Sequence, residues 1–224
     1  MLNFVLAESA LELVPKEVRG NPSVVADSRR REVDSAAILL DRSFHHSAML
    51  RLKDSEKRGR PDLVHVALLS VTGTPLYLDG QARIFVHTRD DVVLEIREKT
   101  RIPKNYIRFR GLMEKALVDR PSVGLVVFRD ADLEGVVKRV ARAELTVGLS
   151  VQGRPIAIEK LGEQLAAARD PCVVVGGFPR GHFAPGTLSV LDELVRIEQR
   201  PLEAHVVAAR VVYEAEKAMR AAND

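Results

Sequence analysis

The chain has 224 residues, 46% hydrophobic and 29% charged, with a net charge of +3, enough apolar sequence for a sizeable core and enough charge for a soluble surface. No apolar run approaches the roughly 18 consecutive residues of a membrane span, so a membrane protein is excluded. The one cysteine, Cys172, rules out internal disulfides and cysteine-based zinc knuckles and fits a reducing, cytoplasmic setting.

The opening Met1–Glu8 has no positive flank before its apolar run, so it reads as a buried strand over Asn3–Leu6 rather than a signal peptide. Pro15–Asp34 holds Gly20, Pro22 and the run Arg29-Arg30-Arg31-Glu32, and reads as an irregular excursion at about 15–35. A strand over Ala37–Leu40 and a helix over Ser43–Leu52 follow, then a polar stretch at 51–60. Asp62–Val71 is a helix apolar nearly all round, which places it against a sheet, and Thr72–Gln81 is polar again. Strands are predicted over Arg83–His87 and Val92–Ile96, a helix over Asn105–Leu117, and strands over Val123–Phe128 and Glu144–Leu149. The series ends with a helix over Ile158–Ala168, a strand over Cys172–Val175 and a helix over Leu202–Met219. In that last helix the pairs Val206-Val207 and Val211-Val212 ask for burial on more than one side, which a subunit interface would supply. Alternating strands and helices imply one α/β domain spanning 1–224, with no internal repeat.

Charge is uneven along the chain. Residues 1–110 carry 19 Lys/Arg against 15 Asp/Glu, while the remainder carries 15 against 16. Within the window Arg97–Arg110, six cations face only Glu98. Arginine outnumbers lysine 25 to 9, and its planar fork suits phosphates and base edges, so a nucleic-acid partner is favoured. Several chemistries are missing. There is no G-x-G-x-x-G after a strand and no P-loop. Gly148-Leu149-Ser150-Val151-Gln152-Gly153 fails as a nucleophile elbow because its second glycine comes one residue late. The six histidines lack metal-ligand spacing, and no metal is expected.

Three places concentrate residues that packing alone would not choose. Val173-Val174-Val175-Gly176-Gly177-Phe178-Pro179-Arg180-Gly181 is a buried strand running into a glycine-rich loop, whose backbone could approach a ligand or could simply make a tight turn. Ile197-Glu198-Gln199-Arg200-Pro201-Leu202 precedes the last helix and taken alone is a helix-entry turn. The third pairs Gly59-Arg60-Pro61-Asp62 with Arg101-Ile102-Pro103-Lys104-Asn105-Tyr106-Ile107-Arg108-Phe109. Pro103 is expected at a helix start, which would put Lys104 in the first turn, where the helix dipole disfavours a cation, with Arg108 four residues on along the same face. Asp62 reads either as a routine first-turn acid or as a carboxylate that orients Arg60.

Together with Leu40-Asp41-Arg42-Ser43-Phe44-His45-His46, Gly59 to His65 and Val86-His87-Thr88-Arg89, these segments resemble the Nep/Emg ribosome-assembly family, whose members are small-subunit ribosomal RNA pseudouridine N(1)-methyltransferases of the SPOUT superfamily. The resemblance runs from Leu2 to Glu214, and its length matches archaeal-type members. It implies a parallel-stranded α/β sheet with family-specific insertions, a C-terminal trefoil knot at about 144–224, and a homodimer that holds S-adenosylmethionine in the knot. Position by position, the cofactor would lie against Leu149, Gly176, Gly181, Ile197, Glu198, Gln199, Arg200, Pro201 and Leu202. Small-subunit ribosomal RNA would meet Arg60, Arg101, Lys104 and Arg108, with Asp62 steadying Arg60 and less suited to act as a base. Two departures stand out: Arg180 occupies a place where the family would carry histidine, and Lys104 one where arginine is common. A non-catalytic RNA-binding assembly factor and a SPOUT transfer-RNA methyltransferase are the alternatives.

Overall fold

In the computed structural model, which describes residues 1–119 and 122–222, the first strand, β1 (Leu2–Ser9), runs through the middle of an eight-stranded sheet. Its period-two pattern serves both faces: Leu2, Phe4 and Leu6 enter one hydrophobic core, Val5 and Ala7 another. A strand buried on both sides must be apolar throughout, so Leu2–Ala7 carries a single polar residue, Asn3.

After a 3-10 turn at Lys16–Val18 come α1 (Pro22–Arg31) and α2 (Arg42–Met49). The irregular excursion expected over Pro15–Asp34 is thereby corrected. The Asn21 side chain accepts from Ser23 N–H at 3.1 Å, Pro22 opens the helix, and Glu32 ends it in the left-handed region at φ 53°. Only Val24 and Asp27 of α1 are buried, so no apolar stripe announced the helix. Ala37–Leu40 is not a sheet strand either. Ile38 and Leu40 enter a small separate core with Val14, Val18, Val24 and Met49, while Leu39 forms an isolated antiparallel bridge with Leu13.

The chain continues through α3 (Pro61–Thr72), α4 (Pro75–Leu78), β2 (Ala82–Thr88), β3 (Val93–Ile96) and α5 (Tyr106–Asp119). The single strand expected over Val123–Phe128 is two, β4 (Ser122–Val123) and β5 (Val126–Arg129), paired antiparallel about Gly124, whose φ of 52° makes the turn. Then follow α6 (Leu133–Gly135), a π-type segment (Val136–Ala141), β6 (Thr146–Pro155), α7 (Ile158–Ala167), β7 (Cys172–Gly176), α8 (Pro185–Leu188), β8 (Glu193–Arg196) and α9 (Ala204–Ala221).

The sheet order is β4-β5-β3-β2-β1-β7-β6-β8. From β2 to β8 every neighbouring pair is parallel, whereas the β2–β3, β3–β5 and β5–β4 pairs are antiparallel, so the parallel-stranded expectation is corrected to a mixed sheet. Helices α3, α5, α7 and α9 cover one face, and α6 with the π-type segment packs on the other. On α9, Ala204, Ala208, Val211, Val212 and Ala215 all enter the main core. The helix lies against α3 and against α7, where a Cβ on Gly162 would come within 2.8 Å of the Glu214 carbonyl oxygen. Val211 and Val212 are therefore buried within one chain, and their burial asks for no second subunit. Cys172 sits inside β7, and burial pushes its thiol up to about 12. Among the described residues no helix is long and apolar enough to cross a membrane.

Candidate functional site

In an open sheet with parallel strands, ligands lie in the crevice beyond the carboxyl ends of the strands. Here β7 and β8 end, and β6 bends, around a cavity of about 490 Å³. Its floor comes from Leu149 and Val151 at the bend of β6, where pairing with β8 breaks after Leu149 and resumes at Arg154. Resumption requires Gly153, since any Cβ there would lie 2.4 Å from the Val195 carbonyl carbon. One wall is the loop after β7. Gly177 bonds back to β1 through its N–H to the Ala7 oxygen (2.7 Å) and through its oxygen to the Ala10 N–H (2.8 Å). Gly176 leaves room for the Phe178 ring, which a Cβ would approach to 2.9 Å, and Gly181 adopts φ +98°. The opposite wall is the segment from Arg196 to Leu202 together with Ala204 and Val207 at the start of α9.

Of the nine residues expected at a cofactor, Leu149, Gly176, Gly181, Ile197, Glu198, Arg200, Pro201 and Leu202 line this cavity, and Gln199 does not. Residues not singled out for this role beforehand also line it, among them Val175, Phe178, Arg180, His182, Phe183 and Arg196. Phe178 and Phe183 meet edge to face with centroids 5.8 Å apart, which stiffens the loop. In its lining Arg180, Arg196 and Arg200 outnumber Glu198, and the Arg196 Nε is buried without a hydrogen-bond partner among the described residues.

The basic segment is placed by side chains that composition gave no reason to choose. His65 on α3 bonds the Pro103 oxygen through Nε2 at 2.6 Å and stacks on Phe109 at 4.4 Å. The Tyr77 hydroxyl donates to the Arg97 oxygen at 2.8 Å and accepts from the Thr100 N–H at 3.0 Å. The Tyr106 hydroxyl donates to Asp41, and burial together with that carboxylate raises its pKa. Helix α5 begins at Tyr106, and Asn105 accepts from the Arg108 N–H at 3.1 Å. Pro103 is therefore not a helix start, and Lys104 lies outside the first turn. The side chains of Arg101, Lys104 and Arg108 are exposed and make no hydrogen bond or ion pair among the described residues.

Arg60 caps the start of α3, with Pro61 in the first turn. Its Nε and Nη2 donate to the two oxygens of Asp62 at 2.8 and 2.9 Å, and this pairing raises the affinity of Arg60 for its proton. Asp41 and Glu203 also favour that charge. Lys57, three residues before Arg60, donates to the His182 oxygen in the cavity wall, and His65, five residues after it, bonds the Pro103 oxygen, so the start of α3 joins the two halves of the site.

Residues 4–216 match the EMG1/NEP1 methyltransferase family. The chain belongs to this family. It is 41% identical over 224 residues to the ribosomal RNA small subunit methyltransferase Nep1 of Pyrobaculum arsenaticum, covering 96% of this chain and 97% of that one. The Nep1 of Methanothrix thermoacetophila is 38% identical over 217 residues, covering 95% and 94%. Among solved structures, Archaeoglobus fulgidus Nep1 bound to S-adenosylhomocysteine superposes with a TM-score of 0.87 at 36% identity and covers 98% of each chain. As an EMG1/NEP1 family member the chain is a methyltransferase, and its fold is that of the Nep1 enzymes.

Proposed function

We propose that this enzyme transfers a methyl group from S-adenosylmethionine to ring nitrogen 1 of a pseudouridine in small-subunit ribosomal RNA, in the service of small-subunit assembly. The observation that carries the reading is a backbone-walled cavity joined through the start of α3 to a face of cations that have no partner among the described residues. The residues fit the cofactor. Leu149, Val175, Ile197, Leu202 and Val207 offer apolar walls to an adenine ring, and the cavity of about 490 Å³ has the size of a small-molecule site. The unpartnered Arg196 Nε and the exposed Arg180 and Arg200 suit a carboxylate or ribose oxygen. When bound, S-adenosylmethionine supplies an electrophilic methyl on a sulfonium sulfur.

The protein's part is to hold the acceptor nitrogen in line and to grip the RNA. Arg101, Lys104 and Arg108 are free to meet phosphates, which dominate RNA affinity and fix register. Lys104 keeps the charge but lacks the fork that an arginine would bring. Both oxygens of Asp62 are already engaged by Arg60, which supports a positioning role for Asp62 over that of a base. The proposal includes a knotted C-terminal part at about 144–224, of which 223–224 lie outside the described residues. The order β7-β6-β8, with α9 returning across α7 and α3, supports it. It also includes a cytoplasmic homodimer, in which a second subunit would cover the exposed side chains of Val66 on α3 and Tyr213 on α9.

The substrate assignment has a chemical test. In uridine, nitrogen 1 is bonded to ribose, whereas pseudouridine is joined through carbon 5 and presents nitrogen 1 as a free N–H. Two stem-loops that differ only in uridine or pseudouridine at the target are incubated with enzyme and labelled S-adenosylmethionine. Affinities within about tenfold, 1.4 kcal/mol, with label only in the pseudouridine RNA are expected. Equal labelling of both would overturn the assignment.

A further inference from the structure

The loop that walls the cavity is held from behind by two side chains that belong to neither half of the site. Glu8, at the end of β1, adopts φ 51°, a left-handed conformation that a glutamate takes only when its surroundings enforce it. Its strand slips register against β2 between Leu6 and Ser9, and its N–H is held by the His87 Nδ1 at 3.2 Å. So turned, the carboxylate accepts from the Ala184 N–H at 2.6 Å through one oxygen and from the Lys57 Nζ at 2.9 Å through the other. Lys57 donates in addition to the His182 carbonyl oxygen and stands 4.5 Å from the centre of the Phe178 ring. The positive φ of Gly181 lets the loop pass beside the lysine stem, because a Cβ there would fall 2.9 Å from the Lys57 Cε. Two opposite charges, only 18% and 12% exposed, thus hold the loop at residues 178, 182 and 184.

Lys57 also stands three residues before Arg60, and the link between them is stiff. The Arg58 guanidinium is buried on the two oxygens of Glu12, and Gly59, at φ +64°, accepts from the Arg42 N–H at 2.9 Å through its oxygen. Arg60 then pairs with Asp62. His182 and Arg60 are thus joined by a short, hydrogen-bonded segment.

We propose that Lys57, clamped by Glu8, is a positioning residue that sets the shape of the cofactor wall and couples cofactor binding to the RNA grip at Arg60. The inference rests on the cofactor reading of the cavity. Coupling of this kind is reciprocal: RNA should tighten cofactor binding by the factor by which cofactor tightens RNA binding.

The test uses the full chain and S-adenosylhomocysteine titrated by calorimetry, with and without a small-subunit RNA stem-loop, on wild type, Lys57→Met, Lys57→Arg and Glu8→Gln. In the wild type, RNA should tighten S-adenosylhomocysteine binding by about fivefold or more. Lys57→Met should bind it about tenfold more weakly and lose the RNA effect, Glu8→Gln should do the same in weaker form, and Lys57→Arg should restore most of both. Without any ligand, amides of residues 177–184 should exchange hydrogen faster in Lys57→Met while those of β1 stay protected. Wild-type affinity and wild-type RNA coupling in Lys57→Met would overturn the inference and leave the cavity assignment intact. Weaker binding with full coupling would overturn the link to Arg60. A wild-type protein that does not bind S-adenosylhomocysteine would overturn the cavity assignment itself, and the inference with it.

Discussion

The cavity wall from Val175 to Phe183 is shaped by backbone, glycine and two packed rings, whereas on the basic face the side chains of Arg101, Lys104 and Arg108 have no partners among the described residues. They should fail differently when altered: the wall by volume, since packed interiors have no slack, and the face by charge, since exposed cations contribute affinity without holding the fold together.

The sharpest way to break that contrast is Gly176→Val. The added side chain drives into the Phe178 ring, so S-adenosylhomocysteine affinity should fall about 100-fold or more, ~2.7 kcal/mol, by calorimetry, while the variant elutes from a sizing column as wild type does. Normal binding would place the pocket elsewhere. Arg108→Glu probes the other side. RNA affinity should drop about tenfold, and the slope of log K against log salt should shrink by about one unit or more. Its melting temperature should barely move, a surface charge being worth under about 0.5 kcal/mol. A large loss of stability with unchanged RNA affinity would make Arg108 a structural residue.

Acid should separate the supports of the two halves by a smaller margin. His45 is buried between Asp27 on α1, Asp41 before α2 and Arg110 on α5, and burial lowers its pKa from 6.5. A depressed histidine is bound by the proton more readily when the region opens, so stability is lost as pH falls below about 6.5 toward the folded value. Burial opposes ionisation of Asp27, but Arg30 and Arg31 outweigh it and lower its pKa, so its contribution is lost only below 3.8. Between pH 6.5 and 5, hydrogen exchange corrected for intrinsic rates should therefore speed up in α1 and α2 and stay unchanged in β7. Equal acceleration in both would show that the small core around Met49 does not open on its own. The smallest effect is expected for Asp62→Asn. The Arg60 and Asp62 side chains are 36% and 45% exposed, and an exposed pair is worth about 0–1 kcal/mol, so RNA affinity should weaken less than about fivefold with cofactor affinity unchanged.

The parts of the fold legible in the sequence were those whose burial leaves a periodic trace. β1 and β7 carry near-continuous apolar runs because both faces are covered, and α3 is apolar around most of its girth because helices and sheet enclose it. α1 and β8 left no such trace: the helix buries two residues, and Val195 alone is fully buried in the strand. The glycine loop and the segment from Ile197 to Leu202 were legible because glycine and proline mark backbone geometry locally. Arg196, Phe178 and the Glu8–Lys57 pair were not, since their roles come from partners brought together by the sheet, as when Lys57 meets His182 from 125 positions away. His65 could have been suspected as a histidine set in an apolar helix, though only the fold supplies its partner, the Pro103 oxygen.

Cys172 lies in the strand that delivers the glycine loop, fully buried and with its thiol held protonated. Thiol reagents attack the thiolate at exposed sites, so the folded protein should be inert to them and each alkylation event should mark an excursion in which β7 leaves the sheet centre. With no other cysteine in the chain, the labelling rate is a single-site clock for that excursion. Occupancy of the cavity, whose wall β7 carries, should slow the clock in proportion to the fraction of molecules filled, giving a measure of ligand binding that needs neither heat signal nor turnover.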